Sequence, residues 1–175
     1  MARDTISAIM QRRSNRKYQR EVVPEGDLQT ILEAGRQAPS AANRQPWHFV
    51  VVKDEKQKRT LSEACSEQTW MADAGVIIAG VGKPGVSEKW YAVDVAIAMQ
   101  NMILAATALG YGTCWIGAFD QERVKSVLGV PDEMCVIALT SVGAPADQPE
   151  ARERMPMEEF ASVDRYRGKP EALTT

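Results

Sequence analysis

Apolar and polar positions alternate along this chain in runs whose spacing sorts them into helices and strands. Ile6, Ile9 and Met10 fall on one face of a helix predicted over residues 5–12, with Asp4 placed to cap it. Leu28, Ile31 and Leu32 repeat at helical spacing within residues 24–38. Pro39 stops that helix, because the residue before a proline is pushed out of the helical region. Residues 49–52, Phe-Val-Val-Val, predict a strand, and residues 54–64 a charged amphipathic helix. The run AGVIIAGV at 74–81 predicts a second strand, buried on both faces. A long helix is expected over 90–109, an extended piece over 113–116, and a helix over 121–128 closed by Gly129 and Pro131. Residues 134–142 give a third clear strand. Strands and helices follow one another without regular β-α-β spacing, which predicts the α+β class.

Two segments extend the pattern. No charged residue occurs from 95 to 119, a stretch as long as a membrane span. Gln100, Asn101, Thr107 and the Gly-Tyr-Gly at 110–112 interrupt it, and alanine fills much of the rest. It is expected as a deep core helix, with part of its burial supplied by a subunit partner. The tail, residues 145–175, is too polar to build a core and is expected to lie as an extended arm on its own domain or on a second subunit.

Composition narrows the class. A chain of 175 residues, 45% apolar and 25% charged, suits one globular domain spanning 1–175. A net charge of −2 argues against a nucleic-acid footprint. The N-terminal residues contain no apolar core of a secretory signal. Cys65, Cys114 and Cys135 lie far apart, which predicts reduced thiols and a cytoplasmic location. With His48 the single histidine, no metal site is expected within one chain.

Four constellations carry candidate chemistry. In RRSNRKY, the cations Arg12, Arg13, Arg16 and Lys17 surround Ser14. Guanidinium forks suit a phosphate, and a solvated basic edge after a helix is the alternative. In APSAANRQPW, Ser40, Asn43, Arg44 and Gln45 crowd between Pro39 and Pro46. Their amides can bond the edge of a planar heterocycle, or simply close Asx-type turns. In GYGTCWIGAFD, three glycines within residues 110–117 allow close backbone approach to a ligand, or a helix cap and a broken strand. Cys114 within it is a nucleophile candidate with His48 as its base, or an inert buried thiol. Arg152 and Arg154 share one face of an extended segment and could meet an anion, or belong to a tail of mixed charge.

Together these segments, with DVAIAMQNMILAATALGYGTCWIGAF and the LGVP before the last strand, resemble the FMN-dependent nitroreductase family over almost the whole chain. The resemblance implies a nitroreductase-like α+β fold, a mostly antiparallel sheet flanked by helices, and an intertwined homodimer with two FMN sites built from both subunits. It places Arg12, Ser14 and Arg16, with Arg13 beside them, on the FMN phosphate and ribityl chain. Arg152 and Arg154 would close on the phosphate. Pro39, Ser40, Asn43 and Gln45 would approach the flavin from the partner subunit. Trp115, Ile116 and Gly117 would run along the ring, and the helix over 90–109 would pack at the dimer interface. The activity implied is ping-pong: NADH or NADPH reduces the flavin, then a nitroaromatic, quinone or similar electrophile is reduced. The chain has no Rossmann glycine motif, so the nicotinamide would dock transiently in the flavin cleft. The flavin carries the chemistry, and no residue of the chain is assigned as catalytic. Residues 82–91 are short where longer relatives carry helices over the pocket, and Lys83, Lys89, Trp90 and Tyr91 are candidates for its entrance. Alternatives are a flavin-binding sensor without efficient turnover and a related flavin chemistry such as reductive dehalogenation.

Overall fold

A computed structural model describes residues 4–166 of the chain. Helix α1 (Thr5–Gln11) opens it, and the Asp4 carboxylate accepts from the Ser7 N–H at 3.0 Å and the Ser7 hydroxyl at 2.6 Å. An acid in this place both fills an orphan donor and opposes the helix dipole. Helix α2 (Glu25–Arg36) follows, then a 3-10 turn at Ala41–Asn43 and strand β1 (Trp47–Val52). Helix α3 (Glu55–Ala64), a second 3-10 turn at Thr69–Asp73 and strand β2 (Val76–Gly82) come next. Helix α4 (Tyr91–Ala108) leads into strand β3 (Gly112–Ile116), helix α5 (Gln121–Leu128), strand β4 (Cys135–Gly143) and a single turn, α6 (Met157–Phe160). The expected arm, 145–175, is described as far as Tyr166; its last nine residues lie outside the described part.

The four strands form one antiparallel sheet in the order β1-β2-β4-β3. The α+β class expected from the sequence is the class observed. Strand β1 starts two residues before its β-branched run, because Trp47 and His48 pair with Gly82 and Val81 of β2. The partner strand, not local propensity, sets that boundary. Strand β2 is buried at every position. Its side chains alternate between two cores, as a pleated strand requires. Ile77, Ala79 and Val81 pack under α3 and α5, while Val76 and Ile78 pack under α2 and α4. Gly80 sits where α4 crosses the sheet; a Cβ there would overlap the Met99 Sδ.

Helix α4 is long and apolar enough to cross a membrane by length and composition. Its inner face, however, is a core surface: Val95, Met99, Met102 and Ala106 are buried against the sheet and α2. Its outer strip stays open, with Val93 47% and Ile97 37% exposed. The expectation of a deep core helix is therefore met on one face within a single chain.

The segment after α1 then crosses to the far edge of the sheet. Ser14 forms an isolated parallel bridge with Thr113 of β3, and Tyr18 an antiparallel one with Pro145. The buried Tyr18 hydroxyl donates to the Asn15 carbonyl at 2.8 Å and lies 2.7 Å from the Ser141 hydroxyl. These contacts hold residues 12–19 beside the chain leaving β4.

Candidate functional site: an arginine-lined cleft

Arg12 caps the C-terminal end of α1 with an extended backbone, and the chain runs on beside β3. In extended chain, alternate residues share a side, so Arg12, Ser14 and Arg16 can face one way. The late segment returns to the same place. The Asn15 side-chain amide donates to the Asp147 carbonyl at 3.1 Å, and Lys17 pairs with the Asp147 carboxylate at 3.2 Å. A cavity of about 140 Å³ results, with Arg12, Arg13, Ser14 and Arg16 on one side and Arg152 and Arg154 on the other. Glu150 is the one carboxylate in its wall. Among the described residues none of these five arginines forms an ion pair. Guanidinium groups gathered this way repel one another until an anion answers them. Planar forks converging on a small volume suit the several oxygens of a phosphate.

The arginines are not equivalent. Arg13 Nη1 donates to the carbonyls of Met10 and Arg12, both at 2.9 Å, and so closes the end of α1. Arg154 Nη1 donates to the carbonyls of Arg152 and Glu153 at 2.9 and 3.1 Å. The Arg16 guanidinium lies 5.8 Å from the centre of the Trp70 ring, and the residue also lines the cavity.

A second cavity of about 320 Å³ shares Arg12 and Ser14 with the first and adds Gln100, Ile103, Thr113 and Trp115. Trp115 is 42% exposed, whereas the Ile116 side chain is buried in the core, and neither Ile116 nor Gly117 lines either cavity. A Cβ on Gly117 would make only an ordinary contact, 3.7 Å from the Trp115 Nε1. The cleft thus has a cationic end and an aromatic, amide-bearing end. Gln100 and Ile103 were not singled out from the sequence. Their signal was present: Gln100 is a polar side chain within the charge-free stretch 95–119, with Ile103 one turn further on the same face.

A larger groove of about 830 Å³ continues from Arg16 past Trp70. Its charges are mixed: Arg20 pairs with Asp73 at 2.7 Å, and Glu63 and Glu67 stand in the wall. Three acids thus stand among its cations Arg16, Lys17, Arg20 and Arg59, whereas the smaller cavity sets five arginines against one carboxylate.

The amide-rich loop is built elsewhere. The Ala41 N–H donates to the Asp94 carboxylate at 3.2 and 3.3 Å, which ties the loop to the first turn of α4. The Ser40 hydroxyl accepts from the Gln45 N–H at 3.0 Å, and the Gln45 amide donates to the Asn43 side-chain oxygen at 3.2 Å. Ala42, Asn43 and Gln45 all have left-handed φ, near +50°. Such conformations cost energy outside glycine and occur more often where a loop is shaped for binding. Neither cavity of the cleft includes Pro39, Ser40, Asn43 or Gln45 in its wall. Lys83, Lys89, Trp90 and Tyr91 are also absent from both. Lys83 instead lines a separate pocket with His48, Lys89 lies over the Trp90 ring at 4.9 Å, and the Tyr91 hydroxyl reaches the Cys135 sulfur at 3.9 Å.

A Cys114–His48 catalytic pair is excluded by the sheet order. His48 lies on β1 and Cys114 on β3, the two opposite edges. Three strand spacings, roughly 14 Å, separate them. Burial pushes the Cys114 thiol up, with Arg16, Ser14 and Arg12 opposing it, so the sulfur is an inert thiol at neutral pH. All three cysteines are free, and among the described residues no cluster of His, Cys, Asp or Glu could hold a metal.

Comparison with known proteins agrees with this architecture. The sequence profile of the nitroreductase family matches residues 9–75 and 64–144. An NADH dehydrogenase of Thermus thermophilus is 32% identical, the match covering 89% of this chain and 93% of that protein. The crystal structure of a nitroreductase family protein from Clostridium novyi superposes with a TM-score of 0.79 at 31% identity, covering 97% of this chain and 98% of that one. The NADPH:FMN oxidoreductase of Vibrio harveyi, solved with NAD+, gives a TM-score of 0.86 at 26% identity, over 93% of this chain and 77% of that one. With matches that run from α1 through β4 and a fold shared end to end, the chain belongs to the nitroreductase family.

Proposed function

We propose that the arginine-lined cleft binds FMN and that the protein is an NAD(P)H-dependent flavin oxidoreductase. The observation that carries this is the meeting of unpaired arginines from the two ends of the chain around one small cavity, opening directly onto an aromatic one. The donor set fits the cofactor. Arg12, Ser14, Arg16 and Arg152 would hold the phosphate, with Arg154 beside them and Arg13 behind. Trp115 and Ile103 would wall the ring, and the backbone at Ile116 and Gly117 would approach its polar edge. Held by these residues, FMN would supply two-electron chemistry between NADH or NADPH and a nitroaromatic, quinone or similar acceptor, in ping-pong order. The chain's own part is to fix the phosphate by charge-assisted hydrogen bonds and to leave the ring face open to both substrates in turn.

The loop holding Pro39, Ser40, Asn43 and Gln45 completes the site from a second copy of the chain in this reading. The open apolar strip on α1 and α4, including Ile9 and Ile97, supports a dimer interface there. Residues 1–175 act as one domain in this reading, and the arm that begins at 145 starts against its own body, at Pro145 and Asp147. The free thiols support a reducing, cytoplasmic setting.

An absorbance spectrum of the purified protein tests the proposal. A flavin band that bleaches on adding NADH or NADPH is expected, and returns when a quinone or nitroaromatic is supplied. Saturating FMN that neither binds nor is reduced would overturn it. Bleaching without recovery by any acceptor would favour a flavin-binding sensor.

A further inference from the structure

We propose that Asn15 is a positioning residue, which sets the two groups of arginines opposite each other across the phosphate cavity. The proposal rests on the FMN reading above. Asn15 lies between Ser14 and Arg16, and its side chain lines a separate cavity of about 340 Å³, not the arginine cavity. It is 6% exposed, and every hydrogen-bonding handle of its backbone is used. Its N–H donates to the Thr113 carbonyl at 2.9 Å, and its carbonyl accepts from the Tyr18 hydroxyl. The side-chain amide reaches across 132 positions of sequence to the Asp147 carbonyl. Gly112 is shaped for it: a Cβ there would stand 2.8 Å from the Asn15 Cγ.

Asp147 is the hinge of this arrangement. Among the described residues it is the last point hydrogen-bonded to the body before the chain reaches Arg152 and Arg154. Its second tether, the ion pair with Lys17, is largely exposed, with side chains 74% and 38% accessible. Pairs that exposed hold geometry weakly. The Ala146 N–H holds the preceding residue on the Lys17 carbonyl at 3.0 Å, and the Asn15 amide then fixes the direction in which residues 149–154 leave the body. Both arginine groups are referred to the same short stretch, because Asn15 is flanked by the residues of one group and grips the stem of the other.

Flavin titrations of the purified protein freed of bound cofactor test this, using FMN and riboflavin, which lacks the phosphate. Asn15→Leu keeps the side chain's size and removes the donor. It is expected to weaken FMN binding about tenfold, the scale of one hydrogen bond's ordering effect. Riboflavin binding should stay within about twofold of the native value, since the clasp acts at the phosphate end. Added to Arg152→Ala/Arg154→Ala, Asn15→Leu should cost less than about twofold more, because the groups it positions are already gone. Equal losses for FMN and riboflavin, or full multiplication of the effects, would assign Asn15 a merely structural role and overturn the proposal. So would native FMN affinity in Asn15→Leu. Should that variant fail to fold, Asn15→Ser is read by the same criteria. Failure of the native protein to bind FMN is a different result, and removes the cofactor reading together with this one.

Discussion

Arg12 and Arg13 are adjacent and chemically identical, yet the structure gives them different tasks. Arg13 spends its guanidinium on the carbonyls that end α1, while Arg12 leaves its own facing both cavities of the cleft. Arg12→Ala should weaken FMN binding by about 1.5–3 kcal/mol, the worth of a charge-assisted contact. Arg13→Ala should lose less affinity and instead lower the melting temperature slightly, through the frayed helix end. Titration and thermal melts of both variants check this, and a larger affinity loss at Arg13 would reverse the two assignments. Nothing in the string RRSNRKY distinguishes them; only the path of the chain out of α1 does. Tyr111 gives a prediction in pH. Its hydroxyl donates to Asp27 at 2.6 Å, and burial, followed by that carboxylate, pushes the phenol up to about 12 from 10.0. A pKa raised on folding means that the folded state favours the protonated phenol. The stabilisation is complete below pH 10 and is lost between pH 10 and 12. Melting temperature should fall through that window, and Tyr111→Phe should flatten part of the fall. The rest is shared by Tyr18, Cys65 and Cys114, which burial also pushes up, and by Tyr91, raised by its hydrogen bond to Cys135. An unchanged pH profile in Tyr111→Phe would contradict this account.

At the scale of elements, the junction of β2 with α4 fixes how near the cleft's helical wall stands to the sheet. Gly80 lets α4 lie close, since a Cβ would collide with the Met99 sulfur and come 2.8 Å from Val95 Cγ1. Gly80→Ala should destabilise the protein by about 1–3 kcal/mol, as overpacking of a tight contact does. Gly85→Ala is the control, because nothing lies within 4 Å of a Cβ there. Urea unfolding with a lowered midpoint for the first and an almost unchanged one for the second is the expected outcome. Most elements were legible from pattern alone. The helix at 121–128 matches its prediction residue for residue, because an Asp120 cap and a left-handed Gly129 mark both ends chemically. Strand β1 was read short at its start, because Trp47 and His48 are strand only through pairing with β2. Helix α2 ends at Arg36, two residues short of its predicted end; Ala38 instead closes a tight final turn onto Gly35 before Pro39.

For the whole molecule, the open apolar strip decides what a single chain lacks. Ile6, Ile9 and Met10 on α1 are 68%, 48% and 71% exposed, and Ile97 is 37% exposed on α4, the helix that α1 contacts. In the dimer reading a second copy covers them, and its loop at 39–45 supplies the ring-edge amides. Ile97→Glu places a charge in that interface and should shift the protein to a monomer by light scattering, with weaker FMN binding. A dimer that survives this change with full affinity would put the interface elsewhere. The amphipathic spacing of α1 was readable, but not that its apolar face would point away from its own core. Periodicity shows that a face must be covered and is silent about what covers it.

The sequence by itself determined the order and type of the main helices and strands and the chemistry of the candidate residues. Each of these depends on neighbours within a turn or two, where spacing and side-chain type suffice. Only the tertiary structure shows Arg12, Arg13, Ser14 and Arg16 lining one cavity with Arg152 and Arg154, as the family resemblance implied, a second cavity in which Arg12 and Ser14 meet Gln100 and Trp115, and Cys114 and His48 on opposite sheet edges. Those relations depend on the order β1-β2-β4-β3 and on the bridges from Ser14 and Tyr18, contacts between residues about a hundred or more positions apart. Local pattern holds no record of such pairing, because it is selected by the free energy of closing the whole sheet and its two cores.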